Sequence, residues 1–332
     1  MFLTLFFACS TDNDATVDPE TQSILDVKAY VDDELHALAD AALAVQAAAP
    51  TPDADGWGPG ETAGMETSWR SARVGYERVE GAIAVLFPEL DAATDERYDG
   101  FLAEGPDDDL FDGEHVTGVH AIERIVWADR HPAHVVAFEA ALPDYTVAAF
   151  PADETQAAAF RDGLCQRLVD DTETMHEDFE PLALDSAAAF RGVIGSMAEQ
   201  YEKVALAQTG EDESRYAQHT LGDMRANLEG GLAIYTAFQP WLGEQDGGDA
   251  VDAEILAGFD RVQAGYDALG GDAIPEVPAT WDADNPSAAD LATPYGVLFT
   301  LLATEADPTV AGSLVERMGA AADLLGIPQL PE

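Results

Sequence analysis

The sequence predicts an all-α protein built from two packed helical bundles, a double four-helix bundle. Alanine dominates the composition, 47% of the 332 residues are hydrophobic, and no alternating strand pattern of useful length occurs. Long stretches instead repeat apolar residues with a period near 3.6, which is typical of amphipathic helices. About ten such stretches are present, too many for one four-helix bundle, so two packed bundles are predicted.

The predicted helices follow one another from Gln22 onward. The first covers 22–49, where Val27, Val31 and Leu35 lie on one face and Pro50 ends the pattern. Loops rich in Pro, Gly and Asp separate it from the later helices. These are predicted at about 66–87, 91–101, 115–129, 135–142, 152–179, 184–208, 212–239, 250–269, 286–304 and 308–325. The helical domain is expected over 22–332, with halves of about 22–180 and 181–332.

The chain is extremely acidic, with 64 acidic residues against 15 basic ones and a net charge of −49. Lysine occurs only as Lys28 and Lys203. Such a surface repels nucleic acid, so DNA or RNA is not expected as a partner. The charge is spread along the whole chain. It fits a protein kept soluble at high salt or, alternatively, one exposed to many cations.

The N-terminus resembles a bacterial lipoprotein signal. An apolar run over residues 1–8 precedes Cys9, and the acidic segment 10–21 reads as a flexible tether. Lipidation of Cys9 would anchor an exported protein to a membrane, facing the periplasm or the cell surface. The alternative is a frayed apolar terminus. Cys165 lies in a helical stretch and is expected to be a buried free thiol.

The strongest chemical signal is the run Gly118-Val119-His120-Ala121-Ile122-Glu123. His120 and Glu123 are three residues apart and so share a helix face. Pairs at similar spacing occur upstream, as Glu77 with Glu80 and as Asp91 with Asp95. Bundles build metal sites from such pairs, and a carboxylate-rich set with one histidine suits iron, manganese or zinc, and copper less specifically. The alternative is a solvated acidic face, which the apolar surroundings of His120 disfavour.

These segments resemble the imelysin-like family, which includes periplasmic iron-uptake lipoproteins of the Efe type. The family hallmark Gly-x-His-x-x-Glu corresponds to 118–123, with an aromatic residue following at Trp127. The stretches 76–80 and 90–97 match a second family segment, although Thr94 replaces an apolar residue. A third match covers 209–230. The resemblance implies a helical double bundle with metal ligands at His120 and Glu123, helped by Glu77 or Glu80 and by Asp95.

Several other polar residues are expected near this site. Arg73 and Arg97 should pair with its acids. His219, Asp223 and Asn227 recur every four residues along one helix face. They fit a hydrogen-bonded network between helices or, less favoured, a ligand role.

Three functions are compatible with these patterns. The first is an exported metal-binding lipoprotein of iron acquisition that holds Fe²⁺ or Fe³⁺, with zinc or copper as alternatives. Its partner would be a membrane iron permease or an outer-membrane receptor. The second is a metallopeptidase of the imelysin type, which the sequence disfavours because it has no His-Glu-x-x-His motif. The third is a surface module that binds polysaccharide or protein.

Overall fold

The computed structural model describes residues 17–52 and 54–330. Within these ranges the protein consists of fifteen α-helices and one π-helical segment, without a β-strand. The predicted all-α class is therefore confirmed. Cys9, the apolar run before it and residues 10–16 of the predicted tether lie outside the described residues. No helix among those described is long and apolar enough to cross a membrane.

The helices alternate between long and short elements. The first nine are α1 (Pro19–Ala47), α2 (Ala63–Glu77), α3 (Glu80–Leu86), α4 (Pro88–Asp95), α5 (Tyr98–Glu104), α6 (Gly118–Val126), α7 (Ala133–Glu139), α8 (Glu154–Ala159) and α9 (Cys165–Phe179). The π-helical segment Phe160–Leu164 joins α8 to α9. The remaining helices are α10 (Ser186–Leu206), α11 (Thr220–Gly243), α12 (Gly248–Asp267), α13 (Ala288–Leu291), α14 (Pro294–Glu305) and α15 (Leu314–Leu325).

Helix α1 begins a few residues before the predicted Gln22. The Asp18 carboxylate accepts a hydrogen bond from the backbone N–H of Thr21 at 3.0 Å, and Pro19 occupies the first helical position. An aspartate cap followed by proline is a strong helix start, because the proline needs no hydrogen-bond partner there. The last residues of the predicted tether are thus the cap and first turn of α1.

Two predicted helices are interrupted in ways that matter for the site. The stretch 66–87 breaks at Arg78 and Val79, which separates α2 from α3. The stretch 212–239 becomes helical only at Thr220, since the preceding segment forms a turn in which Gln218 has a φ of 53°. Residues 212–219 are mostly buried although they are not helical. This segment, the 212–219 turn, contributes side chains that a continuous helix would have placed elsewhere.

Two apolar cores support the molecule. The first gathers residues of α5, α6, the π-helical segment and the first half of α9, including Phe101 and Ile122. The second gathers residues of α10, α11, α12, α14 and α15, including Phe190 and Tyr235. Helices α1, α2 and α9 contribute to both cores. The division of the chain into halves near residue 180 stays a prediction, because α1 packs into both.

Candidate metal centre

The motif helix α6 is buried along its whole length, from Gly118 to Val126. Polar contacts fix where it begins. The Thr117 hydroxyl donates to the carbonyl oxygen of Ala93 in α4 at 2.9 Å, and the Trp69 indole N–H of α2 donates to the carbonyl oxygen of Val119 at 2.8 Å. These bonds hold the first turn of α6 against α2 and α4. His120 therefore projects toward the end of α4.

His120 is the centre of the buried polar cluster, with only 1% of its surface exposed. Its Nδ1 lies 2.8 Å from Glu123 Oε2, and its Nε2 lies 3.3 Å from Asp95 Oδ1. Burial lowers the pKa of His120, so the ring is neutral near pH 7. A neutral imidazole carries one ring hydrogen, and the neighbours of its two nitrogens decide where that hydrogen sits.

The shorter of the two contacts, 2.8 Å to Glu123 against 3.3 Å to Asp95, assigns the ring hydrogen to Nδ1, beside Glu123. Its Oε1 accepts backbone N–H bonds from Tyr216 and Ala217, at 2.9 and 2.7 Å. Its Oε2 is then free to accept from His120. Burial raises the pKa of Glu123, whereas the hydrogen bond with His120 acts in the opposite direction. Both oxygens of Glu123 are used in orienting the imidazole and in tying α6 to the 212–219 turn.

The Nε2 lone pair of His120 consequently faces the Asp95 carboxylate. This nitrogen is buried and has no hydrogen-bond partner. A carboxylate oxygen of Asp95, a ring nitrogen of His120 and a carboxylate oxygen of Glu213 all lie within 4.8 Å of one another. Two acceptors facing each other in a buried site repel unless a cation or a proton lies between them. Two carboxylates and one imidazole form a donor set that iron, manganese and zinc accept.

Arg73 occupies the adjoining part of the cluster. It is fully buried and contacts Glu77 and Asp95, and it lies 2.9 Å from Glu213 and 3.5 Å from Asp223. Glu77, Glu213 and Asp223 also have carboxylate oxygens within 4.8 Å of one another. The guanidinium supplies positive charge to both groups, since Asp95 and Glu213 also belong to the group around His120. The group around His120 is the better candidate for a metal ion because it adds an imidazole nitrogen that has no hydrogen-bond partner.

Lys203 of α10 provides the second buried cation. Its ammonium lies 3.0 Å from Glu77, 3.1 Å from Glu80 and 2.9 Å from Glu213. Glu80 also accepts a hydrogen bond from the Asn227 amide of α11. Burial raises the pKa of both Glu77 and Glu80, and Lys203 acts against that shift. The Glu77–Glu80 pair thus faces a protein cation rather than His120.

Asp91 lies at the solvent side of the cluster. Its carboxylate accepts a hydrogen bond from the buried Tyr76 hydroxyl. Asp91, Asp95, Lys203 and Glu213 line a cleft of about 280 Å³ that also includes Glu80, Glu96, Arg97, Glu199 and Glu202. The cleft connects the cluster around His120 with solvent and is strongly acidic.

The carboxylates of the cluster differ in protonation behaviour. Burial raises the pKa of Asp91 and Asp95 to about 6 each, although Tyr76 and Arg73 respectively oppose the shift. Glu213 is buried as well, but Lys203 and Arg73 outweigh that effect and lower its pKa to about 2. Glu213 is therefore the candidate ligand that stays ionised near neutral pH.

The structure gathers most of the residues that the sequence indicated. His120, Glu123 and Asp95 form one group, and Arg73 contacts Asp95. Arg97 instead donates to the backbone carbonyl of Glu211 at 2.9 Å. The predicted ligand roles of Glu77, Glu80, Asp91 and Glu123 stay predictions.

The predicted helix-face network is present in part. Asn227 accepts a hydrogen bond from Gln200 at 3.0 Å and donates to Glu80. His219 is the residue before α11, and its Nε2 lies 4.0 Å from Asp223. Asp223 contacts Arg73 as described above. These residues link α10, α11 and the cluster.

Two important residues were missed from the sequence, Glu213 and Lys203. Glu213 lies in a stretch that was predicted to be helical, and no pairing at helical spacing identified it. A signal for Lys203 was available, because it is one of only two lysines in a strongly acidic chain.

The fold and this cluster define a helical protein with a buried histidine–carboxylate site on a Gly-x-His-x-x-Glu helix. The family model of imelysin matches residues 27–298, most of the 332 residues. The chain therefore belongs to the imelysin family, as the motifs predicted.

Known proteins add two further similarities. An imelysin-like protein from Psychrobacter arcticum 273-4 has a related structure, with a TM-score of 0.58 over 95% of this chain and 98% of that one. The two are 12% identical, so this likeness supports the fold. The iron uptake system component EfeM of Bacillus subtilis (strain 168) is 24% identical over 176 residues, which is 53% of this chain. The match spans only 35% of EfeM, about a third of its length.

Proposed function

We propose that this protein binds an iron ion as cargo through Asp95, His120 and Glu213. The observation that carries the proposal is the buried Nε2 of His120, which has no hydrogen-bond partner and faces Asp95 at 3.3 Å. A cation between these atoms would replace their repulsion by two coordinate bonds. Glu213, ionised at physiological pH, would supply the third ligand.

Glu123 has a supporting role in this proposal. A carboxylate that accepts the Nδ1 hydrogen of a ligating histidine fixes its tautomer and orientation and makes the ring a better ligand. The backbone N–H groups of Tyr216 and Ala217 hold the second oxygen of Glu123. Glu123 thus couples the ligand on α6 to the turn that carries Glu213.

Iron is favoured among the metals that fit this donor set. Zinc and copper ions would compete with iron for this site, since imidazole and carboxylate groups bind both. The similarity to the iron uptake component EfeM supports iron. We therefore propose a role in iron acquisition, and the apolar run before Cys9 supports the further proposal that the protein is an exported lipoprotein anchored through Cys9. It would pass its ion to a membrane permease or receive it from an outer-membrane receptor.

The proposal is tested by measuring metal content. The purified protein is exposed anaerobically to Fe²⁺, freed of unbound metal and analysed by mass spectrometry. We expect about one ion per chain in the wild type and loss of binding in His120→Ala and Asp95→Asn, because the first variant removes a ligand and the second removes the negative charge of another. His36→Ala serves as a control, since His36 is exposed on α1.

Equal metal content in the wild type and in His120→Ala would refute the proposal. Casein cleavage by the wild type that disappears in Glu123→Gln would support the metallopeptidase alternative instead. If the protein binds zinc in preference to iron when both ions are offered, the proposed site stands, but its cargo is zinc.

A further inference from the structure

Lys203 contacts the same carboxylate that we propose as a metal ligand. Its Nζ lies 2.9 Å from Glu213 Oε2, and Arg73 Nη2 lies 2.9 Å from Glu213 Oε1. Both oxygens of Glu213 are thus held by protein cations. An ion that coordinates Glu213 must compete with one of them.

The surroundings of Lys203 and Arg73 decide which of the two a metal ion displaces from Glu213. Arg73 is fully buried and is held by four carboxylates on three sides of its guanidinium. Lys203 keeps 8% of its side chain exposed and lines the acidic cleft. Its ammonium is a point charge on a flexible stem, whereas the arginine fork is fixed by geometry. Lys203 is therefore the cation that can move toward solvent.

The cleft offers Lys203 other partners once it leaves Glu213. Glu199 and Glu202 lie on the same helix, four residues and one residue away, and line the same cleft. The i, i+4 spacing lets the Lys203 ammonium reach Glu199 on one helix face. Release from Glu213 would thus exchange one carboxylate contact for another.

We infer that Lys203 is a displaceable counter-cation that determines the affinity of the centre and its preference for ion charge. This inference rests on the proposed function. While Glu213 is free of metal, Lys203 neutralises it, and an incoming ion takes its place. The positive charge that remains nearby opposes a trivalent ion more than a divalent one, because Coulomb energy scales with the ion's charge.

The first test compares Lys203→Met with the wild type. Zn²⁺ and Ga³⁺ are used as redox-inert probes, each titrated from the same weak chelator, so that the chelator's contribution cancels. We expect tighter binding of about tenfold for Zn²⁺ and about thirtyfold for Ga³⁺, because the repulsion from the remaining charge grows with the charge of the ion. A purely structural role for Lys203 would weaken binding of both ions instead.

Two matched controls accompany this variant. Lys203→Arg keeps the charge on a planar fork that is harder to displace, so it should not tighten the binding of either ion. Lys28→Met removes the other lysine, which lies on α1 over the Phe179 ring and away from the centre. It should change neither affinity. Unchanged or weaker binding in a folded Lys203→Met protein would overturn the inference.

The second test needs no variant. An amine-reactive reagent labels the wild type with and without metal, and peptide mass spectrometry compares Lys203 with Lys28. We expect metal to increase the labelling of Lys203 relative to Lys28, because the ammonium moves from the cluster into the cleft. An unchanged ratio in protein whose metal content is verified overturns the inference and leaves the proposed function intact. If the wild type binds no metal, both the inference and the proposed function are refuted.

Discussion

Gly118 lies directly against the backbone of Thr94. A Cβ at position 118 would be 2.2 Å from the Thr94 carbonyl oxygen, far inside van der Waals contact, and the φ of Gly118 is 80°. Only glycine adopts this conformation without strain and allows so close an approach. Thr94 precedes Asp95, so the contact sets the distance between α4 and α6. Glycine is therefore required at position 118 because only a close approach of α6 to α4 lets His120 and Asp95 face each other.

Replacing Gly118 with alanine should therefore damage both stability and metal binding. The left-handed conformation and the clash together should cost about 2–5 kcal/mol of unfolding free energy. The shift of α6 away from α4 should also separate His120 from Asp95 and weaken iron binding. Denaturant unfolding and iron titration measure the two effects.

Gly64→Ala is the matched control for this change. Gly64 lies in α2, and a Cβ there meets no other atom within 4 Å. Alanine should stabilise this helical position by up to about 1 kcal/mol and leave iron binding unchanged. A Gly118→Ala protein as stable and as tightly metal-binding as the wild type would contradict the role assigned to the close contact.

Glu123→Gln separates a supporting role of Glu123 from a ligand role. Glutamine has one acceptor oxygen, so it cannot serve both the Nδ1 hydrogen of His120 and the backbone N–H groups of Tyr216 and Ala217, and it lacks the charge that strengthens the imidazole as a donor. We expect iron to bind about 10–100-fold more weakly, the usual effect of changing the partner of a ligating histidine. His120→Ala should be affected much more strongly. Isothermal titration under anaerobic conditions provides the comparison.

The decisive result is which of the two variants, Glu123→Gln or His120→Ala, binds iron more weakly. Complete loss of binding in a folded Glu123→Gln protein would show Glu123 to be a direct ligand, as the sequence first indicated. Far-UV circular dichroism establishes that each variant is folded.

The parts of the site on regular helices could be predicted from the sequence. His120 and Glu123 share a face because a helix brings residues three apart together, and this spacing is visible without a structure. Asp95 could be associated with them only through its pairing with Asp91 and through the family resemblance. Helical periodicity likewise predicted most helices, since long amphipathic stretches carry a strong signal.

The rest depends on tertiary packing. Glu213 lies in a buried turn, and its nearness to His120 follows from how that turn folds over α6, which no local spacing encodes. Lys203 reaches Glu77 and Glu80 across an interface between α10 and the α2–α3 region. Its rarity marks it as unusual, but these two glutamates are more than 100 residues away from it in the chain.

The raised pKa of Asp91 predicts how the metal-free protein responds to pH. The pKa is about 6 in the folded protein against an ordinary value of 3.8. Between these values the folded state binds more protons at Asp91 than the unfolded state does. Stability from this group should therefore be greatest below pH 4 and should decline as pH rises to about 6, by about 1–3 kcal/mol. The lowered pKa of Glu213 has the opposite effect, because its contribution to stability is lost as the pH falls, but only below its ordinary pKa of 4.5.

Asp91→Asn isolates this contribution, because asparagine cannot titrate. In the presence of a chelator, the melting temperature of the wild type is followed from pH 4.5 to pH 7.5 beside that of the variant. The difference between the two curves should favour the variant increasingly up to about pH 6 and then stay constant. Asp33→Asn, at an exposed position of α1, is the control and should follow the wild type. Parallel curves for Asp91→Asn and the wild type would show that burial beside Tyr76 does not raise the pKa of Asp91.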